Sequence, residues 1–218
     1  MVCKYDLVLF DLDGTLSDSA QGVQDSLEYA LKAMGKPVPN LSDRSIYVGP
    51  PLLDTFRNYF KLSPEECDKG IALYKQYYET NGILKNYQYN GLEKLISTVR
   101  KNGSIAVVST SKLEAFAYRV LEIIGLDNYF DAVCGSNLDG SRREKADIIR
   151  YAMEKVNITD SSHIVLIGDT VFDTIGAMET GCDFIGVTYG FGKKEQMAAK
   201  GCTKFSDTVD GLYNFLFE

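Results

Sequence analysis

Five short apolar runs constrain the fold of this chain more than any other feature. They are YDLVLF (5–10), SIAVVS (104–109), FDAV (130–133), HIVLIG (163–168) and DFIGVT (183–188). Apolar character sustained over four to six residues suits strands buried on both faces of a parallel sheet. Amphipathic stretches lie between them: GLEKLISTVRKNG, EAFAYRVLEIIGL, REKADIIRYAMEKV and VFDTIGAMETG. Glycine stands at or beside the end of three of these, a usual C-terminal stop for a helix. Strand alternating with helix predicts an α/β fold with a doubly wound, Rossmann-like parallel sheet.

One interval breaks the rhythm. Between Ser17 and about Tyr89 no run reads as a buried strand, and helical patterns dominate: GVQDSLEYALKAMG, LLDTFRNYF and PEECDKGIALYKQYYE. A crossover of that length exceeds a single helix. It predicts a small all-helical cap domain, residues 18–85, inserted into a core of residues 1–17 and 86–218. The junctions near SDSA and NGILKNYQYNG would act as a pair of hinges. A length of 218 residues accommodates both parts.

Composition narrows the partners. Thirty acidic against 23 basic residues give a net charge of −7, which repels nucleic-acid backbones and anionic lipid. No apolar stretch reaches membrane-spanning length, and acids interrupt the N-terminal segment too early for a signal peptide. The expectation is a cytoplasmic protein acting on a small molecule, with monomer and homodimer both open. The five cysteines are scattered without CxxC or Cys/His clustering, so neither zinc nor a disulfide framework is indicated.

In open α/β sheets, ligands bind beyond the carboxyl ends of the strands. The first run ends in Asp11-Leu12-Asp13-Gly14-Thr15, the second in Ser109-Thr110-Ser111-Lys112, and the fourth in Gly168-Asp169-Thr170 with Asp173 close behind. If these strands are neighbours, carboxylates and hydroxyls converge on one crevice. Clustered carboxylates without imidazole or thiolate favour a hard cation such as Mg²⁺. Thr110 offers a hydroxyl, Lys112 or Lys145 an ammonium, and the turn at Gly14 free backbone N–H groups, all suited to phosphate. A carboxylate nucleophile then points to phosphoryl transfer through an aspartyl-phosphate.

The motifs DLDGTLSDS and GDTVFD, with a hydroxyl at Thr110 and a later lysine, resemble the haloacid dehalogenase-like hydrolase superfamily. The resemblance covers nearly the whole chain, including a helical cap after the first motif. GSNLDGSRREK and VGPPLLDTF are similar to the branch that contains phosphoglycolate phosphatases, although Ala146 stands where many members have proline after the lysine. The resemblance implies that Asp11 is the nucleophile and Asp13 the general acid and base. It implies that Asp11, the backbone carbonyl of Asp13, and Asp169 hold Mg²⁺. Thr110 and Lys145, with Ser111 able to share the task, would bind the phosphoryl oxygens. Asp173 would orient the lysine or a water on the metal.

The implied activity is hydrolysis of a small phosphomonoester. Phosphoglycolate is favoured by resemblance alone, with a nucleoside monophosphate or sugar phosphate close behind. A phosphomutase or 5′-nucleotidase on the same scaffold is the nearest alternative. A receiver-like phosphoacceptor module is disfavoured by the insertion after the first strand, and a dehalogenase by the metal-suited acids.

Blander readings stand beside each assignment. Asp-Gly marks turns, Thr110 suits a helix N-cap, Lys145 suits a solvated helix face, and Asp173 suits a helix first turn. His163, at the opposite end of its strand from the crevice, is expected to be structural. The tyrosines of LYKQYYE fit packing, and Arg44 and Arg57 fit surface ion pairs.

Overall fold

The structure, a computed structural model, describes residues 2–218. Strands β1 (Leu7–Phe10), β4 (Ile105–Leu113), β5 (Ala132–Ser136), β6 (Ile164–Gly168), β7 (Asp183–Val187) and β8 (Phe205–Ser206) form one sheet in the order β5-β4-β1-β6-β7-β8. Every neighbouring pair in it is parallel. The expected doubly wound sheet is therefore present, with β1 at its centre. Phe10, the last residue of β1, is in register with Val108 on one side and Ile167 on the other. Asp11, Ser109 and Gly168 consequently lie side by side.

All four residues of β1 are buried because both faces of the sheet are covered. Leu7 and Leu9 pack with Ile148, Ile149 and Ala177 of helices α6 (Lys145–Lys155) and α7 (Val171–Thr180). Val8 and Phe10 face the other way, toward Leu95, Ile96 and Val120 of helices α4 (Leu92–Lys101) and α5 (Glu114–Ile123). Each such aliphatic side chain contributes about 1.5–3 kcal/mol on burial. The continuous apolar run thus reads both faces at once.

The interval 18–85 holds α1 (Ala20–Ala33), α2 (Leu52–Asp54), a wider helical turn at Thr55–Tyr59, and α3 (Pro64–Thr80). Helix α3 starts on a capping box in which the Ser63 side chain and Glu66 satisfy each other's backbone N–H groups. A two-stranded antiparallel ribbon, β2 (Ser17–Asp18) with β3 (Tyr87–Gln88), ties the two junctions together.

Two boundaries differ from the sequence expectation. The strand expected at 104–109 continues to Leu113, with a register shift between Thr110 and Leu113 against β5. Such an irregularity re-aims side chains at a strand end, here those of Thr110 to Lys112. The run FDAV begins two residues before β5, because Phe130 packs edge-on against Phe10 at 5.7 Å rather than joining the ladder. The ribbon strands and β8 are two residues each, too short to leave a periodic pattern.

Candidate active site

Asp11 follows β1 directly, and its amide donates to the Ile167 carbonyl at 2.9 Å, which fixes the carboxylate at the sheet's C-terminal edge. Asp169 follows β6 in the same way and is fully buried. Asp173 lies in the first turn of α7. Its Oδ2 accepts from the amide and hydroxyl of Thr170 at 3.0 and 2.8 Å, so the helix-end reading is correct. Its other oxygen faces a lysine. Lys145, the first residue of α6, places Nζ 2.6 Å from Asp173 Oδ1 and 2.6 Å from Asp11 Oδ1. A third bond runs from Nζ to the Ser109 carbonyl at 2.7 Å. All three ammonium protons are used, and Lys145 is buried, not a solvated helix lysine.

Lys112 occupies a different place. Its Nζ lies 3.0 Å from Asp13 Oδ2 and donates to the Tyr78 hydroxyl at 2.9 Å. The sequence left open whether Lys145 or Lys112 is the lysine for phosphate. The structure puts Lys145 against Asp11 and Lys112 against Asp13. Thr110 is buried, and its hydroxyl accepts from the Lys112 amide at 3.2 Å. Thr110 and Ser111 both line the cavity above the carboxylates.

Burial dominates the ionisation of the cluster. It pushes the Asp11 carboxyl up to about 7 even though Lys145 pulls the other way. Asp169 is raised well above the carboxylate range by burial first, then by Asp173 and Asp11. For Lys145 burial acts downward, yet the two carboxylates outweigh it and hold the ammonium above its ordinary range. Lys112 follows the same pattern, with Asp13 the main opposing influence.

The donor set suits a divalent cation. Asp11, Asp169 and Asp173 each offer an oxygen, and these lie within 4.8 Å of one another. Four carboxylates, counting Asp13, face two ammonium groups, a deficit that one divalent ion balances. Asp169 Oδ1 is buried and has no hydrogen-bond partner among the described residues. An orphaned carboxylate oxygen in that position is costly unless a cation or donor meets it. Both oxygens of Asp173 are already engaged, so that residue fits a role beside the ion better than one on it.

In the turn expected to offer free N–H groups, the Gly14 amide itself is engaged, donating to the Ser17 carbonyl at 2.8 Å. The glycine is needed for another reason. Its φ is +84°, and a Cβ there would collide with the Asp169 carboxylate. Further residues escaped the sequence reading altogether. The amides of Phe191 and Gly192 donate to Asp169 Oδ2 at 2.7 and 3.3 Å, clamping it from the loop after β7. The only sequence signal was the glycine pair in YGFG. Tyr78, read as packing, is buried and bonded to Lys112. His163 is exposed at the far end of β6, as expected. Arg44 lies 4.0 Å from Asp18, a surface pairing, and Arg57 is exposed.

A parallel Rossmann-like sheet with helical insertions, carrying an aspartate cluster at its carboxyl edge, defines a hydrolase of the phosphatase type. Residues 8–187 match the model of the haloacid dehalogenase-like hydrolase family, and the chain belongs to that family. The crystal structure of a predicted phosphatase from Clostridium acetobutylicum matches at 42% identity with a TM-score of 0.91, covering 97% of each chain. A 5′-nucleotidase of Pseudomonas aeruginosa is 32% identical over 213 residues, 98% of this chain and 96% of that one. The tyrosine-protein kinase PtkA of Mycobacterium tuberculosis is 34% identical over 189 residues, 87% of this chain and 64% of that one. A phosphoglycolate phosphatase of Vibrio parahaemolyticus is 26% identical over 216 residues, 94% of this chain and 93% of that one.

Proposed function

We propose that this chain hydrolyses a small phosphomonoester through a phosphoryl group carried on Asp11. The observation that carries the reading is Lys145, 2.6 Å from both Asp11 and Asp173, in a cluster with Asp169, whose Oδ1 has no partner among the described residues. An Asp11 oxygen attacks phosphorus as the bond to the alcohol breaks, and Asp13 gives its proton to the departing alkoxide. Asp13 then takes a proton from the water that attacks the aspartyl-phosphate, which releases phosphate and restores Asp11. Lys145, Thr110 and Ser111 bind the phosphoryl oxygens, where positive charge and donors meet developing negative charge. Asp11, Asp169 and the Asp13 carbonyl are the ligands for Mg²⁺, which when bound neutralises the carboxylates and polarises the phosphoryl group. Asp173 holds Lys145 in place.

Residues 18–85 serve as the cap and residues 1–17 with 86–218 as the core, with the β2–β3 ribbon as the hinge. A cavity of about 400 Å³ lies between them, a size suited to a small-molecule ligand. Its walls carry Val23, Leu52, Leu53, Tyr74 and Phe116 above the carboxylates. That apolar, partly aromatic lining supports a bulkier alcohol than glycolate. We therefore place a nucleoside 5′-monophosphate ahead of phosphoglycolate, the substrate that resemblance favoured. The name of the Pseudomonas relative points the same way.

A phosphate-release screen over phosphomonoesters, with and without Mg²⁺, tests both statements. Turnover should require the ion, and kcat/KM should be higher for nucleoside monophosphates than for phosphoglycolate. Asp11→Asn should fold normally and release no phosphate. Wild-type-like release from that variant rules out the aspartyl-phosphate.

A further inference from the structure

The two oxygens of Asp13 live in different surroundings. Oδ2 is paired with Lys112 Nζ at 3.0 Å, whereas Oδ1 is buried and has no partner among the described residues. Asp13 lines the cavity, while its buried Oδ1 is shielded from the ligand space. Lys112 is itself held from the other side. It donates to the Tyr78 hydroxyl at 2.9 Å, and its ammonium lies 4.6 Å from the centroid of the Tyr78 ring. Tyr78 is fixed in turn by the Asn86 amide at 3.5 Å, by stacking on Tyr74 and by contact with Phe116. Asn86 accepts from the Ser17 hydroxyl at 2.9 Å, beside the ribbon that joins the two parts of the chain.

We infer that Lys112, braced by Tyr78 of α3, is a positioning residue that holds the Asp13 carboxylate at Oδ2 and so keeps the group aimed at the leaving alcohol. The inference rests on the reading of Asp13 as general acid and base. Proton transfer in the transition state demands an oxygen within hydrogen-bond reach of the breaking bond, and a carboxylate free to rotate about its Cβ–Cγ bond meets that demand only part of the time. Anchoring Oδ2 removes that freedom. Because Tyr78 comes from the inserted helical segment and Lys112 from β4, the anchor is complete only when the two parts are together. Acid catalysis is thereby tied to closure over the substrate, which keeps the proton from being spent when the site is open to water.

A phosphate-binding lysine makes a different prediction, and leaving-group dependence separates the two. An alkyl alcohol leaves as a strongly basic alkoxide and needs the proton, whereas p-nitrophenolate departs as a stable anion and needs it little. Turnover of ethyl phosphate and p-nitrophenyl phosphate would be measured with the Mg²⁺-loaded full chain and four variants. Lys112→Met should lose at least about tenfold more activity on ethyl phosphate than on p-nitrophenyl phosphate, a part of the roughly 10²–10⁴-fold that general acids supply. Lys112→Arg should recover part of that difference. Tyr78→Phe, which removes only the brace and keeps the ring, should show the same bias at smaller size, and it decides the matter if Lys112→Met fails to fold.

Equal losses on the two esters in Lys112→Met, with weaker inhibition by inorganic phosphate, would overturn the inference in favour of direct phosphate binding. An unbiased Tyr78→Phe would overturn the link to the helical segment. Asp13→Asn distinguishes the levels. If it shows no leaving-group bias, the acid reading itself fails. If it is biased and Lys112→Met is not, only the positioning role fails.

Discussion

At the scale of single residues, Lys145 holds the site together before any ligand arrives. Its ammonium is shared by Asp11, Asp173 and the Ser109 carbonyl in a buried setting. Replacing it with methionine leaves two buried carboxylates facing each other without their cation. Breaking a buried pair in this way costs about 3–5 kcal/mol. Urea unfolding of metal-free Lys145→Met should show a loss of that order together with absent phosphate release. An unchanged unfolding midpoint would mean that the carboxylates are stable without the lysine. Asp11 and Asp169 were legible because each follows an apolar run, where a charge is costly unless something pairs with it. Lys145 was only one of two candidate ammonium groups until the resemblance singled it out, since nothing in SRREKADI distinguishes it from a solvated helix lysine. Its burial comes from the docking of α6 on β4 and α7, a long-range fact.

At the scale of elements, the packing of α6 on α7 depends on a glycine that propensity would reject. Gly176 sits inside α7, where alanine would be better by about 1 kcal/mol in isolation. A Cβ at this position would lie 2.7 Å from both Cβ and Cγ of Lys145. The space left by the missing methyl lets the lysine stem run past α7 to the carboxylates. Gly176→Ala should therefore destabilise by about 1–3 kcal/mol, as overpacking does, and reduce turnover by shifting Nζ. Thermal unfolding and phosphate release measure the two effects, and a more stable, fully active variant would show that the helices separate freely. The five long runs revealed the sheet because burial on both faces leaves no alternation. The bulge in β4 and the clamp of Phe191 and Gly192 on Asp169 left almost no trace. Both arise where separate elements meet, and no local pattern encodes that meeting.

At the scale of the whole molecule, the helical segment and the sheet are joined by the β2–β3 ribbon and by side-chain contacts between them. Among those contacts are two ion pairs, Asp43–Lys193 at 2.9 Å and Asp54–Arg143 at 3.6 Å. All four side chains are well exposed, so each pair contributes little to folding, about 0–1 kcal/mol. Their position gives them a second use. With residues 18–85 acting as the proposed cap, contacts that cost little to undo suit it, because substrate must enter and product must leave on every cycle. Exposed pairs also weaken as salt shortens the screening length to about 10 Å at 0.1 M. The double variant Asp43→Asn with Asp54→Asn should unfold at nearly the wild-type temperature and yet have a higher KM. Added salt should raise KM in the wild type more than in the variant, since the variant has already lost what salt screens. The comparison cancels the general effect of salt on an anionic substrate approaching a chain of net charge −7, which both proteins share apart from the two removed charges. Identical salt dependence in the two would show that the pairs do not hold the lid, and that closure rests on the apolar contacts around Tyr78 and Phe116 alone.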